Sequence, residues 1–197
     1  MSAPPPSEVP HVGAPTSPLI PSGVMGMLLF VFSEVMFFAG LISAFAIVKA
    51  MAPGGIWPPP GQPRLPIEAT GLNTAALLLS GVALFYANRV YSKDPQKAKL
   101  PVLVALLLAS FFVFFQGLEW ASLIGEGLTF TSSQLGSFFY MIIGSHAIHA
   151  VAAICGLGYI YVQLLRDKLA PTQFWTAQVF WYFVVGIWPI LYWQVYL

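Results

Sequence analysis

Five unbroken apolar runs, each long enough to cross a hydrocarbon layer, leave this chain few folds to choose from. A helix rises 1.5 Å per residue, so about 20 apolar residues cross a ~30 Å bilayer core. Runs of at least that length recur at residues 23–50, 68–91, 99–124, 135–165 and 172–197. Inside lipid every backbone N–H and C=O must find a partner within the protein, which a helix supplies to itself. The sequence therefore predicts an all-α fold, a polytopic membrane helix bundle with five transmembrane helices. Composition agrees: 58% of the 197 residues are hydrophobic and 8% are charged, with a mean hydropathy of +0.79. That is too little charge to cover a soluble globule.

The segments between the runs set the organisation. Residues 1–22 hold neither Lys nor Arg and are broken by prolines, which predicts a flexible Pro-rich amino-terminal tail ahead of a five-helix membrane domain at 23–197 and not a secretory signal. Residues 51–66 are crowded with proline and glycine and cannot continue a helix. Arg89, Lys93, Lys97, Lys99, Arg166 and Lys168 follow the second and fourth runs, leaving Lys49 and Arg64 for the opposite side. Retained loops carry the Lys and Arg, so the amino terminus is expected to be cytoplasmic and the carboxyl terminus external. A net charge of +1 without a basic block argues against nucleic acid as a partner. Cys155, the sole cysteine, falls inside an apolar run and is expected to be a small buried residue, with no disulfide to make. No 20- to 50-residue repeat supports a solenoid or an inverted-repeat transporter, and no phosphate loop, GxSxG elbow or HExxH helix is present.

Four ionisable residues lie where lipid should not tolerate them: Glu34, Glu119, His146 and His149. Each costs about 2.5–3.5 kcal/mol on insertion scales, so each is expected to face the bundle interior and to be hydrogen-bonded or neutral. Glu34 sits near mid-membrane, roughly 16 Å into the first run. His146 and His149, three residues apart, share a helix face. Metal or haem ligation is one reading of that pair, but neither a third histidine in a span nor Glu-x-x-His motifs on two helices complete a site. Hydrogen bonding across helices to Glu119 or Glu34 is the other. The chain thus offers no catalytic, cofactor or metal site of its own. Gly40 with Ala44, and Ala152 with Gly156, have the spacing that lets helices approach closely. The aromatic stripe of the last run, from Phe174 and Trp175 through Trp181, Trp188 and Trp193, reads as interface anchoring and packing. Pro189 is expected to kink that helix without ending it.

The order of these motifs resembles one family, subunit III of haem-copper respiratory oxidases. SEVMFFAGLISAF (33–45) resembles the family's Ser-Glu helix, with Glu34 at its buried glutamate. WPPPGQPRLP (57–66) and GLNTAALLLSG (71–81) resemble its Trp-Pro-Pro loop and Asn-Thr helix entry at Asn73. QGLEW (116–120) resembles the signature that holds Gln116 and Glu119, and GSHAIHA (144–150) the Gly-x-His-x-x-His segment of His146 and His149. The last run departs from the family's Trp-His-Phe-x-Asp, with Tyr182 for the histidine and Val185 for the aspartate. Five runs match the short form that lacks two amino-terminal helices of the seven-helix version.

The resemblance implies an accessory subunit beside catalytic subunit I and other subunits of an oxygen-reducing, proton-pumping terminal oxidase. It implies haem and copper in those partners and none in this chain, with bound phospholipid from the membrane. A bacterial cytoplasmic membrane is the implied location. An accessory subunit of a nitric-oxide reductase, a proton-coupled transporter and a membrane cytochrome remain open alternatives at this point.

Overall fold

The computed structural model describes residues 20–52, 54, 57–58, 61–63 and 65–197. Five long helices form, α1 (Ser22–Ala50), α2 (Ile67–Tyr91), α3 (Lys99–Gly125), α4 (Gln134–Leu165) and α5 (Pro171–Tyr196), and no strand occurs among the described residues. Each boundary lies within one residue of the expected one. All five are long and apolar enough to cross a membrane. The expected tail at 1–22 lies outside the described residues up to position 19, and the helix itself begins at Ser22.

Local chemistry sets the ends. The Ser133 hydroxyl accepts from the Gly136 N–H at 3.0 Å and starts α4. Gly127, at φ 93°, ends α3 while the Leu128 N–H reaches back to the Leu123 carbonyl at 2.9 Å, a Schellman closure with both leucines buried. Asp167 closes α4 in the same way at φ 54°, with the Lys168 N–H bonded to the Gln163 carbonyl at 2.9 Å. A short 3-10 turn at Pro95–Ala98, its Gln96 N–H accepted by the Asp94 carboxylate, leads into α3.

Neighbouring chain ends show that the helices alternate in direction. Gly23 of α1 lies against Thr176 of α5, while at the other end the Tyr192 hydroxyl donates to the Ile67 carbonyl. The two cation-bearing turns meet at one end: Gln96 donates to Asp167 at 2.6 Å, Lys99 lies 3.6 Å from the same carboxylate, and the Tyr91 hydroxyl donates to the Leu169 carbonyl at 2.7 Å. Helices α2 to α5 build the core, with Trp181, Trp188, Phe112, Phe139 and Phe174 fully enclosed. Helix α1 lies at the edge and buries only Phe38 and Phe45.

Three expectations change. Cys155 is exposed on the outer face of α4, because an apolar run has a lipid side as well as a bundle side, and a thiol is apolar enough for either. The small-residue pairs do not mark close approach, since a Cβ on Gly40 or Gly156 would meet nothing within 4 Å. The tight contact is at Gly81, where a Cβ would stand 3.1 Å from Val185 Cγ1. The aromatic stripe divides: Trp181 and Trp188 are core, while Trp175 and Trp193 stay exposed at the two ends of α5. Helix α5 runs through Pro189 without ending.

Candidate functional site

The polar residues form two separate groups. The first joins α2, α3 and α5 at the end of the bundle that carries the 51–66 loop. Glu119 of α3 holds its Oε2 toward two donors, Gln116 Nε2 at 2.9 Å and the Thr70 hydroxyl at 2.7 Å, whose single hydrogen is shared with the Pro66 carbonyl at 2.8 Å. The second hydrogen of Gln116 Nε2 goes to the Tyr196 hydroxyl at 3.1 Å. One turn deeper, Asn73 Nδ2 donates to the Phe112 carbonyl at 3.0 Å, and Trp188 Nε1 donates to the Thr74 hydroxyl at 2.8 Å. Helices α2, α3 and α5 are thus tied by side-chain bonds inside the apolar layer, where the alternative is an unsatisfied polar group.

The second group joins α1 to α4. His149 Nε2 lies 3.0 Å from Glu34 Oε2, and Nδ1 lies 2.7 Å from the Ser145 carbonyl. A carbonyl can only accept, so Nδ1 carries a hydrogen. Between Nε2 and Oε2 one proton then suffices for the bond, on either atom: the pair is imidazolium with carboxylate or neutral imidazole with carboxylic acid. Both forms have zero net charge, which suits bilayer depth. The side chains of His149 and Glu34 retain 15% and 19% of their exposure, opening toward the flank of the bundle.

His146 goes elsewhere. Three residues subtend about 300° on a helix, so the two histidines point some 60° apart. His146 is buried, its ring 4.9 Å from that of Trp188 and 6.4 Å from that of Phe112. Neither ring nitrogen has a hydrogen-bond partner among the described residues. Of the expected choices for Glu34, His149 is therefore the partner and His146 is not. Glu119 bonds to Thr70 and Gln116 and to no histidine, because α3 turns it toward α2.

The departures in α5 are also accounted for by contacts. The Tyr182 hydroxyl accepts from Gln178 Nε2 at 2.6 Å on the same helix, and the buried Val185 packs on Gly81 of α2. The sequence alone did not single out Thr70 or Tyr196, and it read Trp188 as anchoring and packing and Thr74 only as part of the Asn-Thr helix entry. Their hydrogen-bonding atoms sit on residue types that ordinarily pack or anchor.

A haem or metal fits these surroundings poorly. Both nitrogens of His149 are committed to Ser145 and Glu34. The cavity beside His146, lined in part by Phe112, Gln116, Trp120 and Trp188, measures about 120 Å³, against ~300 Å³ for the smallest usual ligand sites. Among the described residues no three His, Cys, Asp or Glu side chains come together.

Comparison with known proteins gives the family. The family model described as cytochrome c oxidase subunit III matches residues 7–197. Cytochrome c oxidase subunit 3 of Gallus gallus is 32% identical over 190 residues, covering 91% of this chain and 71% of that protein. The subunit 3 proteins of Oryctolagus cuniculus and Gadus morhua are each 34% identical, over 193 and 180 residues, covering 91% and 87% of this chain and 71% and 67% of theirs. With its five apolar helices and its order of buried polar residues, the chain belongs to the cytochrome c oxidase subunit III family, the accessory membrane subunits of haem-copper oxidases.

Proposed function

We propose that the chain stands beside the catalytic subunit of a proton-pumping terminal oxidase, with haem and copper held by its partners, in a bacterial cytoplasmic membrane. Its amino terminus lies on the cytoplasmic side and its carboxyl terminus outside, as the clustering of Arg89, Lys93, Lys97, Lys99, Arg166 and Lys168 on two meeting turns supports. Its contribution is to brace the catalytic subunit, to hold membrane phospholipid, to aid proton uptake on the cytoplasmic side and to protect the complex during turnover. The residues that serve this role are Glu34, Asn73, Gln116, Glu119 and His149, acting as helix ties, and His146, packed against Trp188 and Phe112.

The observation that carries this reading is the engagement of His149. An imidazole bonded through both nitrogens inside the bundle has no lone pair left for iron or copper. Affinity purification of the tagged chain from its native membrane tests the proposal. The expected result is co-purification of a haem- and copper-containing catalytic subunit that consumes oxygen, with the chain alone showing no visible absorption. A haem spectrum from the isolated chain, or a complex that turns over nitric oxide and not oxygen, would overturn it.

A further inference from the structure

Among the described residues six buried side-chain polar atoms have no hydrogen-bond partner, and four of them belong to side chains that line one cavity: Gln116 Oε1, Trp120 Nε1 and both ring nitrogens of His146. Buried polar groups are satisfied in the great majority of cases, so a cluster of exceptions marks a place where something else supplies the bonds. The cavity lies between α3 and α4, with Trp188 of α5 in its wall, and measures about 120 Å³. His146 is 1% exposed and Gln116 5%, so neither reaches bulk water for a partner.

The four atoms form a balanced set. Both hydrogens of Gln116 Nε2 are engaged, by Glu119 and by Tyr196, which fixes the amide and leaves Oε1 as an acceptor only. An indole N–H only donates, and an imidazole with one ring proton offers one donor and one acceptor. Two donors and two acceptors therefore share one cavity. A cation is repelled by the N–H groups, an anion by the lone pairs, and an acyl chain satisfies none of the four. Water both donates and accepts, and at ~30 Å³ each two or three waters fit the volume. Gln116 and Trp120 stand one turn apart on α3, about 6 Å by helical rise, close to the reach of two hydrogen bonds through one water.

The packing of α4 leaves a part for such waters to play. Its side-chain bonds reach α1 through His149 and, at its amino-terminal end, loop residues through Ser133, Ser137 and Tyr140. None among the described residues reaches α3 or α5, whereas α2, α3 and α5 are tied to one another repeatedly.

We propose that two or three ordered waters occupy the α3/α4 cavity and join His146 to Gln116 Oε1 and Trp120 Nε1. Through Gln116 they carry the Glu119 cluster across to α4, so that one hydrogen-bonded network spans four of the five helices. His146 serves it because an imidazole donates from one nitrogen and accepts at the other. The inference goes beyond the functional reading above and does not depend on which complex the chain joins.

A structure of the intact membrane complex, at a resolution that shows ordered water, tests it. The expected result is discrete density within hydrogen-bonding distance of a His146 nitrogen, Gln116 Oε1 and Trp120 Nε1. An acyl chain in the cavity, or no density there where waters are seen elsewhere at the same depth, would overturn the proposal. Ala147→Val, at the cavity wall, adds a reading by sign, taken as the detergent concentration at which the chain leaves the complex. Displacing waters that satisfy polar atoms should lower that midpoint, whereas filling a dry void raises it. In a His146→Leu background, which removes two of the four polar atoms, the same change should lower it less or raise it. A rise in both backgrounds, or an equal fall in both, would count against the waters. If the complex holds no oxidase cofactor, the functional reading fails and these outcomes still decide the water site.

Discussion

Glu34 and Glu119 are both carboxylates within apolar helices, and the bundle holds them in opposite ways. Glu119 accepts from two neutral donors on α2 and α3, and one of those donors, Gln116, passes the connection to Tyr196 on α5. Around it, Asn73, Trp188 and Tyr192 make further bonds between the same helices. Glu34 has one partner, His149, and sits on a helix that buries two residues where α5 buries eleven. A cluster of neutral donors spreads the loss of any one bond over its neighbours, whereas a single carboxylate–imidazole bond has nothing to share with. The first arrangement suits a fixed core. The second leaves an outer helix that depends heavily on one bond.

The largest effect is expected where that single bond is cut. His149→Leu leaves a carboxyl group at bilayer depth without its partner, and removal of one member of a buried pair costs about 3–5 kcal/mol. Glu34→Leu combined with His149→Leu should recover most of that loss, because two apolar side chains suit the site better than one stranded acid. Glu34→Gln should cost about 1 kcal/mol or less, since its amide can donate to Nε2 while Nδ1 keeps its bond to Ser145. Unfolding of the subunit in mixed micelles of graded denaturing detergent measures all three. Equal losses in the single and double leucine variants would show that the two residues are not coupled, and the contrast with Glu119 would lose its basis.

A smaller effect is expected at the other carboxylate. Thr70→Val removes one of its two donors, a change of about 1–3 kcal/mol for a buried group left partly unsatisfied. Gln116→Leu removes both the second donor and the tie to Tyr196, so it should exceed Thr70→Val. The pair of substitutions should fall outside simple additivity, as members of one network do. The same unfolding assay decides the ranking. If Thr70→Val proved as damaging as His149→Leu, the bonds around Glu119 would not be sharing load.

Much of this arrangement was open to reading before any coordinates, and the unread part has a common cause. Span ends were legible to within a residue because proline, glycine and charge end apolar runs for reasons that do not depend on neighbours. The presence of a carboxylate–histidine tie was legible too, since lipid leaves few other fates for such residues. Which histidine makes the tie was not, because it depends on how α4 is rotated against α1, and both histidines lie on nearly the same face. Trp188 and Tyr196 stayed hidden for a similar reason: an indole or phenol in an apolar run anchors, packs or donates according to what stands opposite. Spacing suggested close approach at Gly40 and Gly156 and said nothing of Gly81, since whether a glycine is needed depends on the facing side chain.

Gly81 gives the smallest and sharpest prediction, because it tests the α2–α5 packing that holds the Glu119 cluster in register. A methyl added there would stand 3.1 Å from Val185 Cγ1 and 3.7 Å from Cγ2, while the rest of Val185 remains at ordinary contact distance. A few tenths of an ångström must be found, either by turning the valine or by shifting α5. Valine has few comfortable rotamers, so Gly81→Ala should destabilise by about 1 kcal/mol, the low end of the range for overpacking. Val185→Ala in the same chain removes the obstructing methyls and should reverse the loss, so that the two substitutions together cost less than the sum of each alone. If Gly81→Ala were neutral alone, α5 would have room to move, and the bonds from Trp188 to Thr74 and from Tyr192 to Ile67 would be what fixes it beside α2.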